Sequence, residues 1–228
     1  IITFNGEIYN APALRDELQR AGAVFHSRTD TEVILRGYLA WGLTGVLDRL
    51  RGMFAFVLVD LADPDRPVIH AAVDHAGMKP LMHARLPDGG LAIASDADAL
   101  RALVSHEPGW SSRLDGNALA HVLSIGYCPA PLTVWRGVRS LPAGSCFTWQ
   151  PHAEPQPAIT RWWLPSEHIS TTPSDPRDPQ EAFESLLPTV ADDHLLAEVP
   201  VGLFLSAGLD STSLAVALAQ EDEAEHEA

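Results

Sequence analysis

Two stretches of the chain hold side chains whose types and spacing could do chemistry on a small polar molecule. Near the start, Asn5-Gly6-Glu7 sets an amide donor, a backbone N–H with no Cβ to shield it and a carboxylate in consecutive positions. The Asn5 amide and the Gly6 N–H could donate toward one point and stabilise a developing oxyanion, while Glu7 offers a counter-charge to an ammonium group. Asn-Gly between apolar flanks is also a hairpin-turn dipeptide, and on that reading the same residues only reverse the chain. Asp30, in SRTDTEVIL, is a further carboxylate that could simply serve a helix start. Near the end, the apolar VGLFL runs into Ser206-Ala207-Gly208-Leu209-Asp210-Ser211 and then a helical pattern. A small-residue loop between strand and helix lets backbone N–H groups and the positive helix end surround a phosphate. The alternative is an ordinary βα turn capped by Ser206. Gly208 is the loop residue free to take a positive φ at low cost.

Other chemistries find less support. The ten histidines show no metal-binding spacing and do not cluster with Cys128 or Cys146, and no nucleophile-elbow serine is present. Lys79, the chain's only lysine, sits in AGMKPL, where a turn before a strand explains it better than an anion ligand does.

The elements that must position these residues follow from periodicity. Ile1 to Phe4 reads as a strand and Pro12 to Ala21 as a helix stopped by Gly22. Thr29 and Glu32 fit a capping box ahead of a helix over Val33 to Trp41, and beyond Gly42 a second helix carries Leu43, Val46, Leu47 and Leu50. Met53 to Leu61 is a continuous apolar run, as expected of a strand buried on both faces. Val68 to Asp74, Leu81 to Leu86 and Leu91 to Ser95 are shorter strands, the last two joined by Pro87-Asp88-Gly89-Gly90. Seven prolines between Pro151 and Pro179 mark a linker. Beyond it, Gln180 to Ala197 reads as a helix, Val199 to Leu205 as a strand and Thr212 to Gln220 as a helix start, before an acidic tail from Glu221.

Over 228 residues, 15 basic against 30 acidic side chains give a formal net charge of −15, which leaves no basic face for nucleic acid. No apolar run approaches the roughly 20 residues of a membrane span. Two cysteines without CxxC or framework spacing and no leader-like start point to a reducing cytoplasm. An opening Ile and an abrupt acidic end suggest a fragment cut at both ends.

Taken in order, NGEIYN, TDTEVIL, LRGMFAFVLVD, DHAGMKPL, GYCPAPLTVWRGVRSLPAG, RWW and VPVGLFLSAGLDST resemble the glutamine-hydrolysing asparagine synthetase family over nearly the whole chain. The final loop resembles the SGGLDS pyrophosphate loop of ATP pyrophosphatases, with Ala207 in place of a glycine. The resemblance implies an α+β, layered αββα glutaminase of the N-terminal-nucleophile type over residues 1–163, a linker over 164–179 and the start of an α/β ATP-pyrophosphatase domain over 180–228. It implies ammonia release from glutamine, adenylation of aspartate by Mg-ATP to β-aspartyl-AMP, and attack by ammonia to give asparagine, AMP and pyrophosphate. A homodimer is an assembly it admits.

Carried over by position, Asn5 and Gly6 resemble the family's oxyanion hole, and Glu7 and Asp30 the carboxylates that hold the glutamine amino-acid moiety. Leu205, Ser206, Gly208, Asp210 and Ser211 fall on its ATP contacts, with Asp210 beside magnesium. The family's N-terminal cysteine nucleophile has no counterpart here, neither Cys128 nor Cys146 can substitute, and the chain alone is expected to be inactive. His75 stands where the family commonly has Arg, which exchanges a permanent charge for a titratable one. Rival readings are a β-lactam synthetase or lasso-peptide cyclase relative, and a non-catalytic glutamine-binding domain.

Overall fold

In the computed structural model the first strand, β1 (Ile2–Ile8), runs straight through Asn5-Gly6, so the dipeptide is strand and not turn. The chain bends only at Tyr9-Asn10, ahead of α1 (Ala11–Arg20), where Leu14 and Leu18 are buried one turn apart. α2 (Asp30–Leu47) is capped by Thr29 and broken at Gly42 (φ 71°), giving the two helices the sequence leads one to expect. β2 (Gly52–Asp60), β3 (Val68–Val73), β4 (Met82–Arg85) and β5 (Leu91–Ala94) follow in their expected places. α3 (Ala97–Val104), α4 (Gly116–Ile125), β6 (Val138–Ser140), β7 (Ser145–Trp149) and β8 (Ala158–Arg161) complete this part of the chain. β8 lies within the proline-rich stretch yet pairs with β7, so the opening of that stretch belongs to the sheet.

The structure describes residues 1–106, 113–151, 153, 156–171, 177–197 and 199–226, divided into two units, Ile1–Glu167 and His168–Ala228. Residues 172–176 of the expected linker and 227–228 of the acidic tail lie outside the described residues.

In the first unit the strands form a five-stranded sheet, β1-β2-β3-β7-β8, and a three-stranded sheet, β5-β4-β6, all with antiparallel neighbours. Strand alternation distributes the core between them. Phe54, Phe56 and Leu58 of β2 pack with Leu14 and Leu18 of α1 and Val33, Ile34, Val46 and Leu47 of α2. Ala55 and Val57, on the other face, pack with Phe147, Trp149, Leu81, Leu91 and Ile93 between the sheets. Ala84, Ala92 and Val138 cover the outer face of the small sheet against Leu100 and Val104 of α3. The order is helix, sheet, sheet, helix. β2 is apolar from Met53 to Val59 because both of its faces are covered.

α5 (Pro165–Thr171) falls at the boundary between the units, and the second unit holds α6 (Pro179–Asp193) and α7 (Leu209–His226). Val199 to Leu205 does not form the expected strand. A strand needs a neighbour to take up its backbone N–H and C=O groups, and no other strand exists in this unit among the described residues. The apolar side chains that suggested a strand instead remain outside, with Phe204 99% and Leu205 65% exposed.

Candidate functional site

β1 is an edge strand of the five-stranded sheet, and its hydrogen-bond phase decides what it offers at that edge. Phe54, the partner of Gly6 in register, spends its N–H on the Asp74 carboxylate (3.0 Å) and its carbonyl on the Asp74 N–H (2.8 Å). Both groups of Phe54 therefore face β3, and Gly6–Phe54 is a non-hydrogen-bonded pair, the closer of the two antiparallel pair types. Two consequences follow. The Gly6 N–H points away from β2, over the open edge. The backbones also approach so nearly that a Cβ on Gly6 (φ +151°) would lie 2.1 Å from the Met53 carbonyl oxygen. Glycine is thus required here by packing as well as by conformation.

The same phase turns the Ile8 N–H outward, and there the Asp30 Oδ2 accepts it at 3.1 Å. Asp30 is not the helix cap. The Thr29 hydroxyl accepts the Glu32 N–H (3.4 Å), and the Glu32 carboxylate accepts from His26 N, Ser27 N, Ser27 Oγ and Arg36. These bonds, led by that from His26 N, hold the Glu32 pKa down at about 2. Thr29 and Glu32 thereby fix the start of α2, and Asp30 is brought against the end of β1. Asn5 and Glu7 project to the opposite face from Phe4 and Ile8, and the Asn5 amide donates to Ser95 Oγ, just beyond β5, at 3.4 Å. The edge thus sets Asn5, the outward Gly6 N–H, Glu7 and Asp30 within a few residues of backbone. Two exposed or half-exposed carboxylates and two donors can receive an ammonium group at one end of a ligand and a carbonyl oxygen at the other.

Asp74 is the residue that the sequence reading missed. Its carboxylate, 1% exposed, accepts four backbone N–H groups: Phe54 and Lys79 on Oδ2, Ala76 and Met78 on Oδ1. It locks the β3 end and the Ala76–Lys79 turn to Phe54, near the start of β2, and so sets the phase that exposes the Gly6 N–H. An Asp closing an apolar strand before a Gly-containing turn is the available signal. Lys79 lies in that turn. His75 packs edge-on against Trp162 and Trp163, with ring centroids at 4.6 and 5.1 Å. Burial pushes up the thiol pKa of Cys146, on β7, and that of Cys128, where Asp115 adds to it; neither is an activated nucleophile.

In the second unit, Ser206 to Ser211 forms a tight turn into α7. Ser206 Oγ and Ser211 Oγ lie 2.8 Å apart, Ser206 Oγ accepts the Gly208 N–H (3.1 Å) and Ser211 Oγ accepts the Ser206 N–H (3.2 Å). Gly208 is not among the glycines with positive φ. A Cβ there would meet only Ser206 Oγ at 3.2 Å, so its left-handed freedom is unused. Asp210 is exposed in the first turn of α7, and Leu205 precedes the loop. The structure brings Ser206, Gly208 and Ser211 together through direct bonds. Among the described residues no group of three or more His, Cys, Asp or Glu side chains could hold a metal ion.

The helix–sheet–sheet–helix unit thus carries an outward backbone N–H, a side-chain amide and two carboxylates along one open strand edge. Residues 1–163 match the family model described as glutamine amidotransferase domain, and the chain belongs to that family. Residues 182–227 match the model described as asparagine synthase. The chain is 42% identical over 219 residues to a Mycobacterium tuberculosis protein provisionally named asparagine synthetase, glutamine-hydrolyzing, covering 94% of this chain and 32% of that one. It is 30% identical to asparagine synthetase 3 of Bacillus subtilis, covering 100% of this chain and 35% of that one. To asparagine synthetase B of Escherichia coli it is 31% identical, covering 93% and 31%. The chain therefore spans about a third of the length of these relatives. A solved glutamine phosphoribosylpyrophosphate amidotransferase from B. subtilis superposes with TM-score 0.48 and 17% identity, covering 96% of this chain and 43% of that one. No helix among the described residues is long and apolar enough to cross a membrane.

Proposed function

We propose that residues 1–163 form the glutamine site of a ligase that makes asparagine from aspartate, ATP and glutamine, joined through 164–179 to an adenylating domain that starts at about 180. The observation that carries the glutamine half is the outward Gly6 N–H, flanked by Glu7 and by an Asp30 carboxylate anchored two residues along the same edge. Glu7 and Asp30 pair the α-ammonium of glutamine, which must not leave water unpaired. As a thiolate adds to the side-chain amide carbon, the carbonyl oxygen gains negative charge, and Gly6 N–H and Asn5 Nδ2 stabilise it. Asn5 gives up only a long 3.4 Å bond to Ser95 to do so. The attacking thiol is not one of this chain's two cysteines, whose pKa values are raised.

In the second unit, Ser206, Gly208 and Ser211 would receive ATP phosphates at the start of α7, with Leu205 against the nucleotide. Magnesium, which keeps water and phosphate oxygens as most of its ligands, fits a site with one exposed carboxylate, and Asp210 is that residue. When bound it neutralises phosphate charge during adenylation of aspartate to β-aspartyl-AMP. The matches to the asparagine synthase model and to the named synthetases support this reading.

The test is Asn5→Ala in the product of the full reading frame that carries this sequence. Loss of one oxyanion donor slows glutamine-dependent synthesis about a hundredfold or more while ammonia-dependent synthesis persists. An equal fall in both rates would make Asn5 a fold residue and remove the glutaminase assignment.

A further inference from the structure

On the three-stranded sheet, where it faces β8 of the five-stranded sheet, the chain gathers positive charge for which the glutamine reading has no use. His83 and Arg85 alternate onto one face of β4, and Arg139 of β6 is the direct cross-strand partner of His83. All three line a recess of about 410 Å³ whose remaining wall includes Leu91, Pro131, Pro157 and Ile159. The recess lies at the lip between the two sheets, where the His83 ring meets Phe147 and the Arg85 guanidinium lies 5.5 Å from the Trp149 ring centroid.

No Asp or Glu among the described residues lines this recess, in a chain with twice as many acids as bases. Among the described residues the Arg139 side chain has no ion pair or hydrogen bond, and the Arg85 side chain donates only to the Gly89 carbonyl. His83 Nε2 is shielded from solvent with no hydrogen-bond partner, so a polar group is left unsatisfied beside two like charges. Burial, and then Arg139, push the His83 pKa down, which keeps the ring neutral near pH 7. Cationic side chains clustered on adjacent strands repel one another unless something negative lies among them.

We propose that this recess binds a small phosphate-bearing anion. Two guanidinium groups match the charge of a phosphate dianion, where a single carboxylate would leave one uncompensated, and their planar forks suit its oxygens. The volume lies within the range of small-molecule sites, about 300–1,000 Å³. The Leu91, Pro131, Pro157 and Ile159 wall takes an organic body attached to the phosphate. The site is distinct from the Asn5–Asp30 edge: none of Asn5, Gly6, Glu7 and Asp30 lines the recess, and the strand of the large sheet that reaches it, through Ile159, is β8, at the margin opposite β1.

The experiment is calorimetric titration of the whole chain with inorganic phosphate at low ionic strength and pH 7, followed by phenyl phosphate. Wild type should bind phosphate saturably, Arg139→Gln should bind at least tenfold more weakly, and Arg136→Gln, an exposed change outside the recess, should match wild type. Phenyl phosphate should bind more tightly than inorganic phosphate. The melting temperature of Arg139→Gln in the absence of phosphate should be equal to or above that of wild type, because a repulsion is removed. Absence of saturable binding overturns the proposal. So does an Arg139→Gln affinity equal to wild type, which would place the phosphate elsewhere, for example at Ser206–Ser211. Equal weakening by Arg136→Gln, the mark of diffuse charge attraction, overturns it too.

Discussion

The β1 edge and the Ser206–Ser211 loop, the two places proposed to meet a ligand through backbone donors, are built by opposite means. At the edge, a rigid sheet leaves the Gly6 N–H unspent: the phase is set from behind by Asp74 on Phe54, and from the side by Asp30 on Ile8. In the loop, the serine hydroxyls are spent on one another and on the turn's own backbone. The first is prepared before any ligand arrives, because the cost of holding a donor free is carried by a buried framework. The second must exchange internal bonds for those of a ligand. Surroundings differ in the same sense, since Gly6 is wedged against Met53 whereas Phe204, beside the loop, is almost fully exposed.

The sharpest way to break this contrast is to add one methyl group to each glycine. Gly6→Ala places a Cβ 2.1 Å from a backbone oxygen at a φ that disfavours it, and should destabilise the first unit by about 3 kcal/mol, read as a shift in denaturant midpoint. Gly208→Ala meets one movable hydroxyl at 3.2 Å and should stay within about 0.5 kcal/mol. Similar losses in both would mean that the edge is no more rigid than the loop.

Asp74→Ala comes next. It strands several N–H donors that one buried carboxylate satisfied, and about 2–3 kcal/mol of stability should go with it. On the proposed function, glutamine affinity in the product of the full reading frame should fall as well, because the phase of β1 loosens. Intact affinity would free the site from dependence on Asp74.

A smaller effect appears with acid. His70, whose Nε2 lies 3.0 Å from the Tyr38 hydroxyl and whose Nδ1 lies 2.9 Å from Thr148 Oγ1, has its pKa lowered by burial, against a smaller raising effect of Asp60. His83 is lowered in the same direction. For such groups the unfolded chain binds more protons, so their contribution is complete above 6.5 and is lost as pH falls through the folded values. Glu32 adds a second step, complete above 4.5 and lost as pH falls toward 2. Melting temperature against pH should therefore fall in two stages, and His70→Gln should shrink the upper one. A curve flat between pH 5 and 7 would contradict these assignments.

How much of this was legible in the sequence depended on how local each cause is. β2 was readable because nine residues in a row are covered on both faces, and the Thr29–Glu32 cap because its partners are three residues apart. Asn5-Gly6 was ambiguous because what holds it straight, the Met53–Phe54 backbone, lies almost fifty residues away. Val199 to Leu205 has the composition of a strand, but pairing is a property of two segments and the sequence displayed one. The four candidate residues at the edge were recognisable by motif, whereas Asp74, which sets their phase, works only through backbone groups, and its one signal, an Asp between an apolar strand and a Gly-containing turn, does not reveal its distant partner Phe54.

Asp30→Asn in the product of the full reading frame tests the proposed glutamine site most directly. An asparagine keeps an oxygen to accept the Ile8 N–H, so the anchor survives while the charge is lost. With the charge paired to a part of glutamine that does not react, the glutamine KM should rise about tenfold or more, kcat should change less, and the melting temperature should hardly move. An unchanged KM accompanied by a lower melting temperature would mean that Asp30 only ties α2 to β1, and that this edge does not bind glutamine.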